Sequence, residues 1–123
     1  MVSALALAAS TVVIHPLGAA AHAIVLESIP APDAVLAEPP ANAMLRFNSK
    51  IEKRLTRVTL TASGGVPRPL TIMNGDAAGG GEPDRVVVSL GSLAPGPYVL
   101  RYKVLSADGH VTEGALRFTV SAR

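Results

Sequence analysis

The chain has 123 residues, with 11 Lys or Arg, 9 Asp or Glu, 3 His and no Cys. This length suits a single domain, and the absence of Cys excludes disulfides, Cys-ligated zinc, iron–sulfur clusters and a thiol nucleophile. The formal net charge is only +2, the basic residues are scattered, and 3 % of residues are aromatic. These values argue against a nucleic-acid partner.

Residues 1–21 have the pattern of a secretory signal peptide. They contain no Asp, Glu, Lys or Arg, and the apolar run from Ala4 to Ile14 is too short to span a bilayer. The small residues Ala19 to Ala21 then form a small-x-small cleavage signal. We therefore expect a leader over 1–21, a mature domain over 22–123 and a periplasmic location. A positively charged beginning is missing, and the alternatives are a start further upstream or an uncleaved apolar anchor.

Seven short segments have the residue pattern of β-strands. They cover residues 23–28, 43–47, 57–62, 68–73, 85–90, 98–105 and 115–121. Gly- and Pro-rich breaks separate them at the spacing typical of an antiparallel β-sandwich. Residues 49–57 are expected to form a helical turn or irregular link, and the Gly-rich segment from Asn74 to Pro83 a loop. The sequence therefore predicts one all-β domain of about seven strands.

Two histidines remain once the predicted leader is set aside, His22 and His110. Cleavage after Ala21 makes His22 the first residue of the mature chain. Its free α-amine and its imidazole Nδ1 can then chelate one metal ion. The ordinary pKa of a terminal amine, about 7.7–8, allows a metal to displace its proton at neutral pH.

The second histidine lies in the sequence Asp108-Gly109-His110. On a regular strand, positions 108 and 110 share one face; in a turn, Gly109 supplies the positive-φ position. Either geometry can bring a carboxylate and an imidazole together, although Asp-Gly is also a common hairpin turn signal without metal. With His22 these residues offer three nitrogens and one oxygen, a donor set that suits tetragonal Cu(II).

Several further segments resemble one known family. They are Ala21-His22-Ala23, Pro30-Ala31-Pro32, Leu45-Arg46-Phe47-Asn48, Leu93-Ala94-Pro95-Gly96-Pro97-Tyr98 and, most specifically, Val104-Leu105-Ser106-Ala107-Asp108-Gly109-His110-Val111-Thr112-Glu113-Gly114. Together they make the sequence similar to the CopC family of periplasmic copper-resistance proteins. The resemblance implies a Greek-key sandwich or barrel, cupredoxin-like or Ig-like.

The resemblance also implies a Cu(II) site formed by the mature terminal amine, His22, Asp108 and His110. We therefore expect one Cu(II) per chain, held for copper homeostasis by a monomer without catalytic residues. The expected partners are the copper ion and an inner-membrane copper transporter or another periplasmic copper protein. No nucleic acid is expected.

Two departures from the family pattern affect these expectations. Some members have a Met-rich Cu(I) site, but residues 63–81 contain only Met73 and no His, so we predict Cu(II) binding alone. Many members also have an acidic residue after the second strand, where this chain has Asn48-Ser49-Lys50. Glu113 is interpreted either as a hydrogen-bond partner of His110 or as a solvated strand charge.

Two other functions remain open at this point. One is a metal-free secreted structural or adhesive sandwich, which processing anywhere other than before His22 favours. The other is a copper oxidase or monooxygenase with a histidine brace. Such an enzyme needs an open coordination position and a flat, usually aromatic surface, and this chain has two Tyr, two Phe and no Trp.

Overall fold

Two β-sheets make up the fold in the computed structural model, which describes residues 23–75 and 79–122. The strands are β1 (Val25–Ile29), β2 (Ala34–Leu36), β3 (Asn42–Phe47), β4 (Arg57–Ala62), β5 (Arg68–Pro69), β6 (Thr71–Met73), β7 (Arg85–Ser89), β8 (Gly96–Leu105) and β9 (Val111–Val120). A short 3-10 helix, Lys53–Leu55, lies within residues 49–57, the segment predicted to be a helical turn or irregular link. The all-β prediction is therefore confirmed.

The strand order explains how the chain forms a Greek-key sandwich. One sheet has the order β1-β3-β7-β6 and the other β2-β9-β8-β4-β5. The neighbouring strands are antiparallel, except that β2 runs parallel to β9. The chain changes sheet at each step from β1 to β4, then from β5 to β6 and from β7 to β8. Strands that are distant in sequence therefore become neighbours.

The core lies between the sheets because alternate residues of each strand are apolar and point inward. In β3, for example, Ala43, Leu45 and Phe47 are buried. Tyr98 stacks on Phe118 with ring centroids 5.4 Å apart. Tyr102 meets Phe47 edge-on at 5.7 Å. Tyr98 and Tyr102 thus share the inward face of β8, with Tyr98 buried in the core and Tyr102 packed against it.

Residues 23–75 and 79–122 contain nine strands, whereas the sequence predicts about seven. The strand Ala34–Leu36 has only three residues between Pro-rich breaks, and its pairing with distant β9 is what orders it. The predicted strand 68–73 is two strands, because the chain changes sheet at Leu70: β5 pairs with β4 and β6 with β7. The last strand begins at Val111, not Ala115, since β8 supplies hydrogen-bonding partners along its full length.

None of the helical segments within residues 23–75 and 79–122 has the length and hydropathy needed to cross a membrane.

Tyr102 on β8 and Gly114 on β9 lie directly opposite each other, so a substitution at Gly114 tests how the Tyr102 ring is packed. A Cβ at position 114 would overlap the Tyr102 hydroxyl and Cζ, and would lie 3.0 Å from Cε1. We predict that Gly114→Ala lowers the free energy of unfolding by about 1–3 kcal/mol, because the Tyr102 ring must leave its place against Phe47. Equilibrium urea denaturation measures the effect. In a Tyr102→Leu background the cost of Gly114→Ala should shrink; an unchanged cost contradicts this packing.

Candidate metal centre

The β8–β9 hairpin ends in a five-residue loop, Ser106–His110, that carries two of the predicted metal ligands. The strands stay in register from Gly96↔Val120 to Leu105↔Val111. The Gly109 N–H then donates to the Ser106 carbonyl (2.9 Å) and the Ser106 N–H to the His110 carbonyl (2.9 Å). Gly109 has φ +90°, a conformation that suits glycine. The loop is thus the turn considered from sequence, and the regular-strand alternative is wrong.

Within this loop the Asp108 carboxylate and the His110 side chain lie against each other. Asp108 Oδ1 is 3.2 Å from His110 Nδ1, and it also accepts a hydrogen bond from the His110 backbone N–H at 3.2 Å. The two side chains are 49 % and 50 % exposed, respectively, so both remain accessible to an ion from solvent. The structure therefore brings together these two predicted ligands.

Ser106 is a further residue of the candidate site, which the sequence analysis did not single out. It is buried, and its hydroxyl donates to Asp108 Oδ1 while lying 3.1 Å from the His110 carbonyl oxygen. The Ser106-Ala107-Asp108 spacing is the available sequence signal, since Ser and Asp side chains commonly bond to groups two residues away in turns. Ser106 thus orients the carboxylate within the loop.

These contacts favour the charged form of Asp108. The hydrogen bond from the Ser106 side chain is the main cause that lowers the pKa of the Asp108 carboxyl below its usual 3.8, with further lowering from the His110 backbone and imidazole. The carboxylate is therefore ionised at neutral and mildly acidic pH, the state that a metal ligand requires.

The segment from Asn48 to Ile51 holds the first described residues at the same edge as the loop. The Ile24 N–H donates to Asn48 Oδ1 at 2.8 Å, and the Asn48 N–H donates back to the Ile24 carbonyl at 3.0 Å. Two residues further on, the Lys50 carbonyl accepts from the Ala107 N–H at 3.0 Å. Since two residues of extended chain span at most about 7 Å, both attachments lie close together.

The third predicted ligand, His22, lies outside the described residues. The chain is described from Ala23, which is buried. Among residues 23–75 and 79–122, no group of three or more His, Asp or Glu side chains is arranged to hold a metal ion. The pair Asp108 and His110 therefore needs donors from elsewhere to complete a four-donor site.

Glu113 lies on β9, beyond the loop, directly opposite Lys103 on β8. Its carboxylate is 3.7 Å from Lys103 Nζ, and the Glu113 side chain is 70 % exposed. This arrangement favours the solvated strand charge over the hydrogen-bond partner of His110.

The comparisons with known proteins agree with this fold. The sequence model of the CopC domain family matches residues 25–121 of this chain. The chain belongs to the CopC family. Its structure is similar to that of CopC from Methylosinus trichosporium OB3b, with 28 % sequence identity, a TM-score of 0.71 and coverage of 81 % of this chain and 94 % of that chain. The family resemblance stated from the sequence is thus confirmed.

A second similar structure is that of PcoC, a methionine-rich copper resistance protein from Escherichia coli. The identity is 24 %, the TM-score 0.68, and the coverage 82 % of this chain and 100 % of that chain. At this identity the likeness supports the fold. A search of curated proteins gave no match.

The contact between Ser106 and Asp108 predicts how the loop titrates without metal. Ser106→Ala removes the main cause of the lowered pKa, so the pKa of Asp108 should rise towards 3.8. A carboxyl group whose pKa is lower in the folded than in the unfolded protein stabilises the fold at pH values above the unfolded pKa. For Asp108 this stabilisation is lost as the pH falls from 3.8 through the lowered pKa of the folded state. Carboxyl ¹³C NMR titration measures the shift, with Ser89→Ala on β7 as the control. An Asp108 pKa equal in the wild type and Ser106→Ala contradicts the assignment.

Proposed function

We propose that this chain is a periplasmic Cu(II)-binding protein that holds or carries copper for copper homeostasis, with one Cu(II) per chain. The proposed ligands are the mature terminal amine, the His22 imidazole, Asp108 and His110. The observation that carries the proposal is the convergence of Asp108 and His110 in one exposed loop, at the edge where Ile24 is fixed. Family membership supports the same metal, since the solved relative PcoC is described as a copper resistance protein.

The distance between the two loop side chains fits a shared metal ion. Nitrogen and oxygen ligands lie roughly 2 Å from first-row metals such as zinc, so adjacent ligands at right angles are roughly 2.8 Å apart. Asp108 Oδ1 and His110 Nδ1 are 3.2 Å apart without metal. A small rotation of either half-exposed side chain therefore places both donors on one ion.

The position of Ile24 supports a terminal chelate that reaches this loop. Successive Cα atoms are 3.80 Å apart across a trans peptide bond. His22 is two residues before Ile24, whose backbone is paired with Asn48 at the loop's edge of the sandwich. A chain that begins at His22 therefore needs no long linker to bring its amine and imidazole to Asp108 and His110.

The donor set determines both capture and release. Nitrogen and carboxylate donors in a tetragonal arrangement suit Cu(II), which also binds most tightly among the divalent first-row metals. Reduction favours release, because Cu(I) prefers soft thioether or thiolate ligands. Acid also favours release, since protons compete for the amine, both imidazoles and Asp108. The role requires no turnover, and the expected recipient is an inner-membrane copper transporter or another periplasmic copper protein.

Substitutions in and near the loop should distinguish residues that bind Cu(II) from residues that only lie close to it. His110→Ala should weaken Cu(II) binding by more than about 100-fold, because loss of outer hydrogen-bond partners alone typically costs 10–100-fold in metal affinity. Asp108→Asn should also weaken it, since the amide keeps the shape of the side chain but loses its charge. Competition with a chromophoric chelator measures these affinities.

Glu113→Gln is the matched control for these substitutions. It removes a carboxylate three residues from His110, but one that lies opposite Lys103 and outside the proposed ligand set. Its Cu(II) affinity should equal that of the wild type. Wild-type affinity in His110→Ala, or an equal loss in all three variants, contradicts the assigned site.

A further inference from the structure

The outward face of the five-stranded sheet carries a concentration of positive charge. In β4, β8 and β9, buried residues alternate with outward-facing ones. One cross-strand row of this outward face consists of Arg57, Lys103 and Glu113, in that order across the three strands. In the next row, Arg101 stands between two uncharged residues.

A third row adds Arg117, opposite Val99. We call Arg57, Arg101, Lys103 and Arg117 the cationic face; all four are exposed. Lys103 has Glu113 at 3.7 Å. Within the described ranges, the three arginines have no carboxylate in ion-pair contact. The face therefore presents unneutralised guanidinium groups to solvent.

This arrangement works against the stability of the sheet itself. Arg57 lies directly opposite Lys103, and like charges in directly opposed positions destabilise a β-sheet. An anionic surface placed over the face would relieve this repulsion. Arginine also suits such contacts, because its planar guanidinium can bind a carboxylate through two parallel hydrogen bonds.

The shape of the face favours a protein over a lipid surface. Two shallow grooves, of about 250 and 280 Å³, share Arg101 as a lining residue. Lys103 and Glu113 line the first groove, and Arg117 lines the second. Concave grooves accept protruding side chains such as Glu or Asp, whereas attachment to a bilayer commonly combines basic residues with large apolar ones. The three rows contain no apolar side chain larger than Val99.

Part of the cationic face lies on the same β-hairpin as the candidate copper loop. Lys103 and Glu113 are a cross-strand pair of the same hairpin whose turn contains Asp108 and His110. We propose that this face docks an acidic protein that exchanges copper with the loop. This inference rests on the proposed function, and it identifies the partner by the negative charge of its surface.

Hexaglutamate is a suitable probe for the docking face. ¹H–¹⁵N NMR titration of the full mature protein, at an ionic strength of about 10 mM, should show shifts centred on β4, β8 and β9. Arg101→Glu combined with Arg117→Glu should weaken the binding at least tenfold. The double variant Arg46→Glu with Arg54→Glu makes the same change in net charge outside the three rows, and should retain most of the affinity. If the Arg101→Glu, Arg117→Glu variant does not fold, the Arg101→Gln, Arg117→Gln variant is used for the same binding measurement.

Three results would overturn the docking proposal: peptide-induced shifts outside β4, β8 and β9, an equal loss of binding in both double variants, or binding to phosphatidylglycerol vesicles without binding to the peptide.

Cu(II) titration of the same proteins keeps this test separate from that of the copper site. The Arg101 and Arg117 variant should retain wild-type Cu(II) affinity, whereas His110→Ala should bind the peptide normally. Loss of copper binding in His110→Ala without loss of peptide binding shows that the two sites are distinct.

Discussion

The whole candidate site depends on the unbroken pairing of β8 with β9. Ten residues on each strand are in register, and the last pair, Leu105 and Val111, fixes where the turn begins and ends. This pairing allows one oxygen, Asp108 Oδ1, to contact the Ser106 hydroxyl and two nitrogens of His110, the backbone N and the side-chain Nδ1. A change in register would move Asp108 and His110 relative to one another, because successive strand residues point to opposite faces.

The crossing from β3 to β4 supplies the second constraint. At its beginning, Asn48 pairs with Ile24; shortly afterwards, the Lys50 carbonyl holds Ala107, and Ile51 forms a bridge with Ser106. The same short segment thus joins the first described residues to the hairpin loop. In the proposed copper site, the terminal amine and His22 meet Asp108 and His110 only after both sheets have formed. Binding of copper should therefore stabilise the complete fold.

Much of this fold could be predicted from alternating apolar residues, and the convergence of Asp108 with His110 from their spacing around Gly109. The sequence did not indicate the short strand β2 or the change of sheet at Leu70, because partners distant in the chain determine both. The roles of Ser106 and Asn48 were missed for a related reason. Each is an ordinary polar residue whose importance appears only when the loop, the crossing and the first strand come together.

The most direct test of the central claim is a Cu(II) titration of protein isolated from the periplasm, with EPR and intact mass measured on the same sample. We expect the intact mass of a chain that begins at His22, and one tightly bound equivalent of Cu(II) with a tetragonal, nitrogen-rich EPR spectrum. Such a result matches a site that combines the terminal amine and His22 with Asp108 and His110. A chain that begins elsewhere, or one that binds copper only weakly and without a defined spectrum, contradicts the account.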